Sequence, residues 1–79
     1  MEDLDFDKHR FLLRLGKNIA RIRKSKAYSQ DKLQLESGLS RGTLSNIEAG
    51  KKDAKASTLA KIAEVLDVPV GKLFDFKKP

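Results

Sequence analysis

Four residues punctuate the stretch from Ser29 to Gly50 at offsets that leave little choice of local structure: Ser29, Gly38, Ser40 and Gly50. A serine is a good N-cap, because its hydroxyl oxygen accepts from the free N–H groups of the turn that follows. Glycine tolerates the left-handed conformation in which helices stop. Ser29 therefore opens a helix over about Gln30 to Ser37, with Leu33 inward, and Gly38 ends it. Ser40 opens a second over about Arg41 to Ala49, with Leu44 and Ile47 facing inward at i, i+3, and Gly50 closes it.

The flanking segments also read as helices. Leu12, Leu15, Ile19 and Ile22 carry helical spacing and predict a first helix over about residues 8 to 25. Asp7 or a neighbour suits its start, and Lys24 and Lys26 suit the negative end of its dipole. A polar, basic loop from Lys51 to Lys55 precedes a helix over about Ala56 to Asp67, whose apolar face is Leu59, Ile62, Ala63 and Leu66. Pro69 forces a break, and a short fifth helix over about Val70 to Phe74 follows. No segment alternates with period two for long enough to be a strand. The reading is all-α: five short helices in one compact domain over residues 1–79, with an acidic N-terminal extension at 1–7 and a tail at 75–79.

Composition narrows the function. The formal net charge is +6, which suggests a polyanionic partner. Glu2, Asp3, Asp5 and Asp7 crowd the N-terminus, whereas Lys8 to Lys26 holds eight basic residues and no acidic one. There is no cysteine, which excludes disulfides, thiolate metal sites and a cysteine nucleophile. The longest apolar run is far below the roughly 18 residues of a membrane span, and the acidic start is unlike a signal peptide. These features predict a cytoplasmic protein without membrane attachment. His9, the sole histidine, has no companion ligand at metal spacing and reads as a surface residue. No nucleophile–base pair, phosphate loop or paired carboxylates point to an enzyme, and no cofactor or small-molecule ligand is indicated.

Two short helices joined by a tight glycine-containing turn describe a helix-turn-helix. Ser29-Gln30, Leu33, Gly38-Leu39-Ser40-Arg41, Leu44-Ser45, Ile47-Glu48, Gly50-Lys51, Leu59, Lys61-Ile62-Ala63 and Leu73-Phe74 stand at the mutual spacing of the Cro/repressor-type (Xre) helix-turn-helix family, which this chain resembles from about Leu15 to Phe74. Restriction–modification controller proteins and small phage repressors resemble it in size and layout. The resemblance implies a five-helix domain acting as a transcriptional regulator on double-stranded DNA. It would occupy a near-palindromic operator as a homodimer, with the helix at residues 41–49 in the major groove.

The resemblance also assigns roles. Arg41, Thr43 and Asn46 would face the bases, Arg41 pairing with guanine and Asn46 with adenine. Gln30, Ser29, Ser40, Ser45, Lys51, Lys52 and Lys55 would contact phosphates, Gln30 from a helix N-terminus. Arg23 and Glu48 would form a partly buried ion pair that fixes the reading helix. Three positions depart from the family. Gln34 replaces a small residue where two helices approach, so its amide points outward or the helices sit slightly apart. Gly42 removes one base-reading side chain, so readout rests on fewer residues or the backbone approaches closely. Asp53-Ala54-Lys55 replaces the usual Asn-Pro-Ser, which leaves the start of the fourth helix between Asp53 and Thr58.

Lys17, Arg21 and Lys24 read as solvated rather than bound to phosphate. For the dimer surface, Val70, Leu73, Phe74 and Phe76 are favoured, Phe76 looking surplus to the core, with Phe6, Phe11 and Leu13 as the rival surface. The competing functional reading is a protein-interaction module, antitoxin-like or adaptor, built on the same helices.

Overall fold

The computed structural model describes residues 6–76, so Glu2, Asp3 and Asp5 and the last three residues of the tail lie outside the described residues. Helix α1 spans Lys8–Ser25 and starts where Asp7 accepts from the Arg10 N–H at 3.1 Å. Helix α2 spans Gln30–Ser37, capped by Ser29 Oγ accepting from Lys32 N at 3.0 Å and stopped by Gly38 in the left-handed region. Helix α3 spans Thr43–Glu48, α4 spans Ala56–Leu66, and Val70–Phe74 forms a 3-10 turn. No strand occurs among the described residues.

Three limits differ from the sequence reading: α3 starts at Thr43 rather than Arg41 and ends at Glu48 rather than Ala49, and α4 ends at Leu66 rather than Asp67. The helix expected from Arg41 begins at Thr43, because Gly42 adopts φ +82°, which breaks right-handed helical geometry. Ser40 therefore does not cap α3; its hydroxyl shares a hydrogen bond with Thr43 Oγ1 at 3.0 Å. Helix α4 starts at Ala56, and Asp67, expected as its last residue, stands beyond its end at φ +60°. The fifth helix is the 3-10 turn.

One apolar core joins these elements. Ile19 of α1, Leu33 of α2, Leu44 of α3, Ile62 of α4 and Leu73 of the 3-10 turn are all fully buried. Burying each such side chain contributes roughly 1.5–3 kcal/mol. Helix α1 lies against α3 so closely that a Cβ on Gly16 would collide with the carbonyl oxygens of Ile47 and Glu48. Asn18, itself buried, donates through Nδ2 to the carbonyls of Lys72 at 3.0 Å and Leu73 at 2.8 Å, tying α1 to the 3-10 turn.

All four phenylalanines gather on one side. The Phe11 ring lies 5.9 Å from Phe6, 6.4 Å from Phe74 and 5.8 Å from Phe76, centroid to centroid. Phe6, Phe74 and neighbouring Val70 are exposed, whereas Phe76 packs partly buried against the core and is not surplus to it. Leu73 is fully buried and offers nothing to a partner, which corrects its assignment to a dimer surface. Leu13 also leaves that set, because it packs under Gly50 at the far end of α3. The two rival surfaces are thus one aromatic patch, built from both ends of the described chain.

Candidate nucleic-acid interface

Glu48 is the last residue of α3, and its carboxylate organises this part of the molecule. Arg23 of α1 donates to it twice, Nε to Oε2 at 2.8 Å and Nη2 to Oε1 at 3.0 Å, with both side chains over nine-tenths buried. Arg23 Nη1 donates to the Tyr28 carbonyl at 2.9 Å, holding the loop before α2. Gln30 at the start of α2 adds Nε2 to Oε1 at 2.7 Å. Three helices therefore meet on one carboxylate. Buried charge is tolerated here because its lone pairs are met by a bidentate guanidinium and an amide.

The other end of α3 is held differently. Gln34 of α2 reaches across the turn, and its Oε1 accepts from the Gly42 N–H at 3.1 Å. The oxygen end of its amide thus serves the backbone where α3 lacks a side-chain cap. Gly42 has nothing within 4 Å of where a Cβ would stand, so the glycine meets a backbone requirement, not a close packing contact. Ser45 Oγ donates back to the Gly42 carbonyl at 3.1 Å.

Between these two anchors α3 presents Ser45 and Asn46 exposed, with Thr43 half-buried at its first position. Arg41 is exposed in the turn just ahead of the helix rather than on it. Ser40 and Thr43 line a concavity of about 360 Å³ together with Lys52 and Lys55. Asp53 lies there too, and Lys8 of α1 approaches it at 3.5 Å. Lys51 is exposed beside them. On the opposite flank of α3, Gln30 and Ser45 line a second concavity with α1 residues. Ser29 is exposed with its oxygen engaged in capping, leaving the hydroxyl proton for a further acceptor. At the outer side of α2, Tyr28 donates to Glu36 Oε1 at 3.0 Å, a bond that raises the phenol above its ordinary pKa.

Sequence reasoning had no sign that Gln30 and Gln34 fasten the two ends of α3. Each is a long polar side chain whose partner is fixed only by the angle between the helices. Among the described residues no helix is long and apolar enough to cross a membrane.

Comparison with known proteins places this arrangement. Residues 19–73 match a helix-turn-helix family model, HTH_3. An uncharacterized HTH-type transcriptional regulator of Sinorhizobium fredii, y4dJ, is 35% identical over 54 residues, covering 68% of this chain and 70% of that protein. The restriction-modification controller protein C.AhdI from Aeromonas hydrophila superimposes with a TM-score of 0.78 at 30% identity, covering 80% of this chain and 96% of that one. SinR, a master regulator for biofilm formation solved in complex with DNA, gives a TM-score of 0.73 at 35% identity, covering 77% of this chain and 98% of that one. The shared span runs from the middle of α1 through the 3-10 turn and includes the whole Ser29–Gly50 stretch. The chain belongs to the Xre-type helix-turn-helix family.

Proposed function

We propose that this chain is a sequence-specific, double-stranded DNA-binding transcriptional regulator that works in the cytoplasm and occupies a near-palindromic operator as a homodimer. The observation that carries the reading is the fastening of α3 at both ends, by Arg23 and Gln30 on Glu48 and by Gln34 on Gly42, with its outer side left polar and exposed. A helix held in this way loses little freedom on entering a groove, which favours specific over merely electrostatic contact. Arg41 reaches a base edge from the turn, and Asn46 from the helix. Thr43 lies between them. Gln30, Ser29, Ser40, Ser45, Lys51, Lys52 and Lys55 flank the reading elements and hold phosphates, which fix register without reading sequence. SinR, 35% identical and solved in complex with DNA, supports DNA as the partner. Regulation follows from occupancy, and the whole of residues 1–79 acts as one binding unit.

A single reading helix spans few base pairs, so two copies are needed for a long site. The exposed part of the aromatic patch, Phe6 and Phe74, together with exposed Val70 on the same 3-10 turn as Phe74, supplies the apolar surface for that association. Selection of bound duplexes from a random pool tests the proposal. A symmetric consensus with half-sites about 34–36 Å apart is the expected outcome. Recovery of unselected sequence, or binding indifferent to salt, overturns it.

A further inference from the structure

On the flank of α3 that faces α1, an open concavity of about 570 Å³ is lined by Lys17, Arg21, Lys24, Gln30 and Ser45. We infer that this cleft is a second phosphate-backbone site, which extends the protein's grip on the duplex beyond the bases that α3 reads. The inference rests on the DNA-binding function proposed above and adds to it the α1 face of Lys17, Arg21 and Lys24.

Lys17, Arg21 and Lys24 stand four and three residues apart, so they share one face of α1, and all three are exposed. Among the described residues none of them has an ion-pair partner. The one carboxylate lining the cleft, Glu48, is already matched by Arg23 and Gln30. The cleft is thus cationic without an internal counter-charge. Arg21 is also oriented, because Nε and Nη2 both donate to Oδ1 of the buried Asn18, leaving Nη1 free for an outside acceptor.

The shape favours a linear polyanion over a small one. From Lys17 to Lys24 the row is about 10 Å long at the helical rise. It is open to solvent rather than closed around a single anion. Gln30 and Ser45 line the cleft and belong to the proposed phosphate-contacting set, so a strand leaving α3 on this side passes directly along α1.

The test uses the full chain carrying Lys17→Gln and Lys24→Gln, titrated by fluorescence anisotropy against a duplex holding the selected site and against an unrelated duplex, over a salt series. Loss of two phosphate contacts lowers the log–log salt slope by about 1.8, and affinity falls by the same factor on both duplexes. A charge-matched control, Arg10→Gln with Lys61→Gln, removes two exposed cations outside the cleft and leaves the slope within a few tenths of the parent value. Thermal melting confirms that both variants fold. The inference is overturned if Lys17→Gln/Lys24→Gln keeps the parent slope, or if the control lowers it equally, which would make the effect one of total charge. If the parent chain binds no duplex, the DNA-binding proposal falls and this site with it; a parent that binds steeply with an unchanged variant removes this site alone.

Discussion

Gln30 Nε2 and Arg23 Nη2 converge on the same oxygen of Glu48, at 2.7 and 3.0 Å, so the start of α2 and the body of α1 share one acceptor at the end of α3. Glu48→Ala would leave Arg23 buried and unpaired, a defect that costs about 3–5 kcal/mol. Urea denaturation should show that loss as a shifted midpoint with an unchanged slope. Glu48→Gln keeps an acceptor and should fall between the two. A Glu48→Ala chain as stable as the parent would show that the pair is not what holds α3.

Backbone handedness gives two substitutions of opposite sign. Gly42 stands at φ +82° with open space around it, so Gly42→Ala meets no clash and should still lose about 1–2 kcal/mol. Ala27 is held at φ +61°, where a Cβ is disfavoured, so Ala27→Gly should gain about 1 kcal/mol. Melting curves for the pair check both signs at once.

Gly16→Ala tests packing rather than conformation. Its methyl would strike backbone carbonyls of α3, which cannot rotate aside as a side chain can. The expected cost is at least the 1–3 kcal/mol typical of overpacking, roughly, with α3 displaced from α1. Operator binding should fall in parallel, since α3 carries Asn46 and Ser45.

Arg41 and Lys51 separate reading from holding. Arg41→Ala should relax preference at one base pair per half-site, by about 1–3 kcal/mol of discrimination. Lys51→Ala should weaken all duplexes alike and lower the salt slope by about 0.9. An Arg41→Ala protein with unaltered sequence preference would remove that residue from the reading set.

Self-association should depend on Phe74, which is exposed, more cleanly than on Phe76, whose ring helps cover the core. Sedimentation equilibrium of Phe74→Ala should show dimer dissociation raised tenfold or more, about 1.4 kcal/mol, with the melting temperature of the dilute protein little changed. Equal dimer stability in parent and variant would move the interface elsewhere.

What could be read from the sequence was what local chemistry decides. Ser29 and Gly38 bound α2 because capping and left-handed stops act within one turn, and the expected limits of α1 and α2 coincide with those found. The same logic misplaced the start of α3. Ser40 looks like Ser29 in sequence, yet the sign of φ at Gly42 is set by how α2 and α3 are joined, and Ser40 spends its hydroxyl on Thr43. Arg23 and Glu48 were paired through the resemblance, since nothing local links residues 25 apart. The aromatic patch was split into two rival surfaces for a related reason. Phe6 and Phe11 lie far from Phe74 and Phe76 along the chain, and only the docking of the 3-10 turn on α1 unites them.

The tie between Asn18 and the carbonyls of Lys72 and Leu73 bears on how the protein is made. It bridges separations of 54 and 55 residues, long for a helical fold of this size. During synthesis, at about 5–20 residues per second, the Asn18 amide and the Ile19 side chain wait several seconds for the elements that bury them. A nascent chain stalled before Lys72 would hold its reading stretch already complete, but with nothing to close the back of α1. Closure of the core behind α1 therefore waits on the 3-10 turn, which follows Asn18 by more than fifty residues.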